Sequence, residues 1–300
     1  MWLMATIVFF LLRVLPGDPV QLLVGMDVVN EDAVAKLRAQ FGLDQPLLVQ
    51  YFLWLGNLAQ GDLGESLRSG TPVISLISAA IPVTLELAII AFVVALALSI
   101  PLGITAGRYH SRLWDAVATT GALIGLSMPS FVLALGGIYI FAVGLHLLPV
   151  TGFVPILVRP LDNLRHMILP SVSLGLISAG ILMRMMRRSV IDESDQDYVR
   201  TARAKGAGEG RVFYGHIMRN AIIPYLTVAG LEAGFLLSGA VITETIFALP
   251  GLGRLMVENI MQRDYAVVQG AVCVVTAIYV LVNFGVDILY TLADPRVKLG

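Results

Sequence analysis

Residues Ser194–Arg219 read SDQDYVRTARAKGAGEGRVFYGHIMR. This is the longest polar, arginine-rich interval of the chain, and strongly apolar stretches flank it on both sides. Ser194 followed three residues later by Asp197 fits the capping-box pattern, so a helix is expected to start there. Gly206, Gly208 and Gly210 interrupt it, Gly206 falling where a helix C-cap needs a left-handed backbone, and a second helical stretch is expected from about Arg211 toward Met218. The expected local structure is helix, glycine turn, helix. On the first helix Tyr198, Val199 and Ala202 share a face while Arg200, Arg203 and Lys205 spread over the others; on the second, Phe213 and Ile217 are an i,i+4 apolar pair. Such a segment is too polar to enter a bilayer and amphipathic enough to dock on a partner. The same pattern also fits a basic loop that only fixes membrane topology.

The rest of the chain explains why a polar interval stands out. Of 300 residues, 57% are hydrophobic and 14% charged, and the mean hydropathy is +0.83. That exceeds what the core of a water-soluble globule requires and indicates an all-α polytopic membrane protein. The formal net charge of −1 says little, because the signs are segregated along the chain. Cys273 is the single cysteine, which leaves no disulfide framework and no cysteine metal site.

Taken in order, Met1–Leu12 is apolar but reaches only about 18 Å as a helix, against roughly 30 Å of hydrocarbon. It is expected to be a truncated first transmembrane helix or a short tilted anchor. Residues 13–77 are polar and punctuated by Pro and Gly, with a helical apolar rhythm at Ala33, Val34, Leu37 and Phe41, and are expected to form an extracytoplasmic cap of short helices. Residues 78–300 are expected to be a transmembrane domain with a cytoplasmic loop at 191–219. Its apolar spans are Pro82–Ile104, Ala116–Leu145, Met167–Met183, Ala221–Thr243 and Ala266–Val286, the second bent or thinned by Pro129 and Gly136–Gly137. With the N-terminal segment these make six transmembrane helices. Assigning sides alternately groups Arg108, Arg112, Arg184, Arg187, Arg188, Arg296 and Lys298 with the 194–219 loop, which the positive-inside rule places in the cytoplasm together with the C-terminus. Between the last two spans, Glu244–Gly270 contains turn residues at Pro250–Gly251 and a short helix around Leu255, Met256 and Asn259, read as a gate-side loop facing an external delivery protein or as an inert connector.

DYVRTARAKG followed by HIMRNAIIP resembles the cytoplasmic coupling motif of permease subunits of bacterial ABC importers, in the version carried by the dipeptide, oligopeptide, glutathione and nickel permeases. In the general motif an acid and two alanines stand where this chain has Arg200, Thr201 and Ala202, and Gly206 is the motif's glycine. LPGDP (Leu15–Pro19) and GLDQP (Gly42–Pro46) are similar to the same family. The resemblance implies a type I ABC importer permease architecture in the bacterial cytoplasmic (inner) membrane and translocation of peptides. It implies four kinds of partner: a second related permease, two ATPase subunits, an extracytoplasmic solute-binding protein and membrane lipid. The residues implied in ATPase coupling are Asp197, Tyr198, Arg200, Thr201, Ala202, Arg203, Lys205, Gly206 and Phe213, with Tyr198 and Phe213 as apolar anchors. ATP and Mg would be held by the partner subunits, and no nucleic-acid partner is expected.

No chemistry of its own is expected from this chain. GAGEGR lacks the GxxxxGK[ST] order of a phosphate-cradling loop, and His110, His146, His166 and His216 lie in separate connecting regions without an i,i+4 metal pair. There is no cofactor and no catalytic residue to assign. Acids inside spans are costly unless they face a partner or a wet cavity. Glu244 and Asp287 fall near span ends, whereas Glu86 and Glu232 are deeper and either line a polar translocation route or pair with helix neighbours. Those two residues also support an alternative, an ion-coupled secondary transporter titrating Glu86 and Glu232, although no internal repeat accompanies it.

Overall fold

The structure, a computed structural model, describes residues 2–14, 35, 38–39 and 42–293. The Leu15–Pro19 sequence, the rhythm at Ala33, Val34, Leu37 and Phe41, the side chain of Asp287, and Arg296 and Lys298 lie outside the described residues. Among the described residues all regular elements are helical. They are α1 (Trp2–Val14), α2 (Leu47–Ala59), α3 (Val73–Arg108), α4 (Leu113–Ser127), α5 (Ser130–Gly137, continued by a π-helical stretch Ile138–Gly144) and α6 (Pro160–Ser194). After them come α7 (Asp197–Ala204), α8 (Glu209–Val212, continued by a π turn Phe213–Ile217), α9 (Met218–Ile246), α10 (Leu252–Met261) and α11 (Tyr265–Ala293).

Among the described residues four helices are long and apolar enough to cross a membrane: α3, α6, the continuous run Glu209–Ile246, and Tyr265–Val286. The expected span Ala116–Leu145 is not one straight helix. Its halves, α4 and Ser130–Gly144, meet at 102°, with Pro129 as the residue preceding α5, because proline disfavours helical backbone before it and cannot donate to the ladder. The sixth expected span corresponds to α1, whose 13 residues reach about 20 Å. Several spans are longer than the sequence suggests, among them the 38-residue run Glu209–Ile246. α3 starts at Val73, inside the segment expected to be cap, and α6 runs for 35 residues. At 1.5 Å per residue α6 is about 52 Å long, so its end projects well beyond a hydrocarbon core of about 30 Å.

The chain divides into two compact units, Met1–Val83 with Pro250–Ile278, and Thr84–Leu249 with Tyr279–Gly300. In the first, Phe9 of α1 meets Tyr51 and Trp54 of α2, each with ring centroids 5.3 Å away. A second cluster joins Val73, Ile77 and Ala80 of α3 to Leu252, Val267 and Ala271. The buried Asp264 carboxylate accepts the Ser66 hydroxyl at 2.6 Å and so holds the loop before α3 against the start of α11.

The second unit is built on α6, which packs along α9 and against α4 and α5. Its contact with α3 is set by Gly103 and Gly107, a small-xxx-small pair. A Cβ at Gly103 would sit 2.6 Å from Met186 Cβ, and one at Gly107 would sit 2.7 Å from Val190 Cβ and 3.0 Å from the Arg187 carbonyl oxygen. Only glycine lets the two backbones come this close.

Candidate coupling site

The Ser194–Arg219 interval forms where the overlong α6 ends. Ser194 is not the cap of the next helix: it is the last residue of α6 and its hydroxyl donates to the Val190 carbonyl at 2.6 Å. The residue preceding α7 is Gln196, which makes no side-chain cap. A serine one turn from available i−4 carbonyls has a local acceptor inside its own helix, and that bond displaces the capping box. At its other end α7 stops as the sequence implies. Gly206 has φ +80°, its N–H donates to Arg203 O at 2.9 Å, and Ala207 N–H reaches Ala202 O at 3.2 Å. This paired 5→2 and 6→1 arrangement is a Schellman cap. The second helix begins at Glu209, earlier than expected, and does not end near Met218, since it passes through Phe213–Ile217 directly into α9. The interval is thus a short helix, a rigid glycine turn and the extended foot of a membrane span.

Its apolar residues face inward. Val199, Val212, Phe213 and Ile217 are buried with Leu182, Met186 and Val190 of α6 and with Ala221 and Tyr225 of α9, and Ala202 packs against the same cluster. This corrects the expected role of Phe213 as an anchor for a partner. Its ring is 5% exposed, and the Arg108 guanidinium carbon lies 4.8 Å from its centroid, so Phe213 ties α8 to the end of α3. The aromatic side chain that points out is Tyr214, at 65%. Tyr198 is a brace between three elements: its hydroxyl donates to the Glu193 carboxylate at 2.5 Å and accepts from Asn220 Nδ2 at 2.9 Å. Partial burial, then the Glu193 carboxylate, push the Tyr198 phenol above its usual value, so it remains a donor at physiological pH.

The outer face is polar and mostly cationic. Asp197, Arg200, Thr201, Arg203, Lys205 and Gly206 are exposed, as are Arg211 and Arg219. Arg203 Nε donates to Glu209 Oε1 at 2.9 Å across the glycine turn, and Arg200 pairs with Asp197 at 3.4 Å. Behind this face, Asp115 at the start of α4 receives Nε and Nη2 of Arg187, at 2.5 Å and 2.7 Å. The Ser111 N–H donates to Asp115 Oδ2 at 2.9 Å, Ser111 itself having φ +61°. Reading the sequence missed this pair, because Arg187 looked like one of several topology-setting arginines and its partner lies 72 positions away. The ends of α3, α4, α6 and α9 are therefore joined to α7 and α8 as one block.

Of the acids singled out within the spans, Glu86, Glu232 and Glu244 are engaged. Glu86 accepts Asn163 Nδ2, which also donates to Val154 O at 2.8 Å. Glu232 is 9% exposed and accepts the Ser178 hydroxyl at 2.6 Å. Glu244, near a span end, is fully buried and accepts Thr84 Oγ1 at 2.6 Å. Each bond joins two helices, or a helix and a loop, as pairing with neighbours requires. Among the described residues no three of His, Cys, Asp and Glu gather where a metal ion could sit.

Comparison with known proteins agrees with this architecture. The sequence profile of the family described as binding-protein-dependent transport system inner membrane component matches residues 99–299, and that of its N-terminal component matches residues 1–88. A putative peptide transport system permease protein of Brucella abortus is 43% identical over 298 residues, spanning 99% of this chain and 95% of the relative. The dipeptide transport system permease protein DppB of Escherichia coli is 38% identical, spanning 97% and 92%. Among solved structures, the inward-facing MetNI methionine ABC transporter superposes with a TM-score of 0.61 at 14% identity, covering 74% of this chain and 97% of that one. An amino acid ABC transporter gives 0.54 at 17% identity, covering 75% and 95%. At such identities these two show the fold alone, that of type I ABC importer permeases. None of these relatives is named for ion-driven transport. Matched by these profiles along nearly all its length, the chain belongs to the family of binding-protein-dependent transport system inner membrane components, the non-catalytic membrane subunits of ABC importers.

Proposed function

We propose that this chain moves peptides across the bacterial cytoplasmic membrane as one half of a permease heterodimer. Two ATPase subunits holding ATP and Mg dock on the 194–219 segment, and an extracytoplasmic solute-binding protein delivers the cargo to the opposite side. The peptide class is carried over from the names of the relatives, the Brucella abortus and Escherichia coli permeases among them. In this reading the segment and the C-terminus are cytoplasmic, and residues 13–77 with the Glu244–Gly270 connection face outward.

The observation that carries the coupling role is the two-sided build of α7 and α8: Val199, Val212, Phe213 and Ile217 are locked into the permease while Arg200, Arg203, Lys205 and Tyr214 stay outside. A segment packed this way transmits force as a rigid body. Asp197, Thr201 and Ala202 set the helix that presents the basic face, and Gly206 sets its end. Arg200, Arg203 and Lys205 supply charge-assisted contacts to the ATPase, and Tyr214 supplies the exposed aromatic contact in place of Phe213.

The test is cross-linking of Arg203→Cys, in the chain co-expressed with its neighbouring ATPase genes, with and without ATP. A nucleotide-sensitive adduct to an ATPase subunit supports the docking assignment. Efficient labelling of position 203 with no ATPase adduct in either state overturns it.

A further inference from the structure

A cavity of about 380 Å³ lies in the first unit, between the end of α1, α2, the loop before α3 and the first turns of α11. Nothing in the transport cycle proposed above uses it. It is lined by Gln269, 3% exposed, whose Nε2 has no hydrogen-bond partner among the described residues. A buried amide nitrogen without an acceptor costs about 1–3 kcal/mol unless something else supplies one. Arg13 lines the same cavity. Its guanidinium is fixed from two directions: Nε donates to Gln50 Oε1 at 3.0 Å and Nη1 to Phe9 O at 3.2 Å, with the guanidinium carbon 3.5 Å over the Phe9 ring. Among the described residues no carboxylate pairs with Arg13. A positioned cation in a half-buried site, with no carboxylate partner among the described residues, suits an anion.

The rim has the opposite sign. Asp62 and Glu65 line the mouth of the same cavity and both are exposed. An anion bound by Arg13 and Gln269 would therefore present its other end to two carboxylates. That arrangement suits a molecule carrying a cation a few bonds from its anionic group. The flanking surface is apolar: Leu53, which also lines the cavity, is 59% exposed, and Leu47, Leu48 and Phe52 on the same helix are 52%, 64% and 66% exposed. On α1, Leu11 and Val14 are 60% and 79% exposed. A polar cavity opening between two bare apolar helices matches the boundary between headgroups and acyl chains.

We infer that this cavity is a specific site for a zwitterionic phospholipid headgroup of the phosphoethanolamine type. The phosphate is held by Arg13 and Gln269, the ammonium lies near Asp62 and Glu65, and the acyl chains lie along the apolar faces of α1 and α2. The bound lipid supplies the acceptor that Gln269 lacks and fastens α1 and α2 to the start of α11.

The experiment is native mass spectrometry of the chain, purified with its co-expressed subunits from nanodiscs of equal phosphatidylethanolamine and phosphatidylglycerol. The expected result is a retained phosphatidylethanolamine adduct whose occupancy falls roughly ten- to a hundredfold in Arg13→Gln, the loss of one charge-assisted contact. Because Arg13→Gln also removes a bond to Gln50, the rim variant Asp62→Asn/Glu65→Gln serves as the second readout. Asparagine keeps the Oδ1 that accepts the Gly64 N–H at 2.8 Å, and the variant is expected to shift the retained lipid from phosphatidylethanolamine toward phosphatidylglycerol. Displacement of the adduct by millimolar inorganic phosphate or a soluble dipeptide would assign the cavity to a free solute and overturn the lipid reading. No adduct above the level of bulk annular lipid, or equal adducts in wild type and both variants, would overturn the site.

Discussion

The carboxylate of Asp115 grips Arg187 through two parallel hydrogen bonds, Oδ1 to Nε at 2.5 Å and Oδ2 to Nη2 at 2.7 Å. The Asp115 side chain is 8% exposed and that of Arg187 31%, so the pair is shielded on one side and reachable by water on the other. A fork-to-fork contact fixes orientation as well as distance. It joins the start of α4 to the C-terminal part of α6, directly behind the segment proposed to receive the ATPase stroke.

Asp115→Asn is therefore expected to lower thermal stability by about 2–3 kcal/mol, since it leaves a guanidinium half-paired beside a low-dielectric core. Loss of uptake is expected to exceed what the stability change explains. A double-mutant cycle with Arg187→Gln on the purified chain reads the coupling; strictly additive effects would mean the pair holds nothing.

Gly107→Ala pushes a methyl to 2.7 Å from Val190 Cβ, so α3 and α6 must separate, at a cost of about 1–3 kcal/mol. Val190→Ala in the same chain is expected to recover part of that loss. Absence of rescue in melting experiments would show that the two helices do not meet there.

At Gly206 the backbone angle of +80° is available to glycine without strain. Gly206→Ala is expected to cost roughly 1–2 kcal/mol. Gly206→Pro goes further, because proline fixes φ near −65° and deletes the N–H that donates to Arg203 O. It is expected to abolish ATP-driven uptake while the chain remains inserted, and ordinary uptake by this variant would sink the coupling assignment.

Two neighbouring aromatics separate core from contact. Phe213→Ala removes a buried ring and is expected to destabilise by about 3–5 kcal/mol. Tyr214→Ala, on the exposed face, is expected to shift stability by no more than about 0.5 kcal/mol and yet reduce ATPase co-purification. The reverse pattern, with Phe213→Ala stable and uncoupled, would restore Phe213 as the partner-facing anchor.

Arg203→Glu provides a charge test. Its pair with Glu209 is solvent-exposed on both sides, at 43% and 67%, and is worth under about 1 kcal/mol. A large loss of ATPase association with nearly unchanged melting is expected; unchanged association would exclude Arg203 from the docking face.

The sequence alone determined the membrane class, the family resemblance, the basic helix–glycine–helix segment and the left-handed Gly206, because these rest on composition and on spacings within a few residues. Pro129 was legible as a break for the same reason, though not the 102° it produces. The inward burial of Phe213, the Asp115–Arg187 fork and the Gly107–Val190 contact belong to the tertiary structure. Each depends on which turn of one helix meets which turn of another, often scores of residues apart, and an apolar side chain in an amphipathic segment has the same local pattern whether its partner is its own chain or another. Ser194 shows the same limit at short range: its hydroxyl had two acceptable uses, as a cap or as a bond to Val190 O, and the extension of α6 as far as Ser194 decided between them.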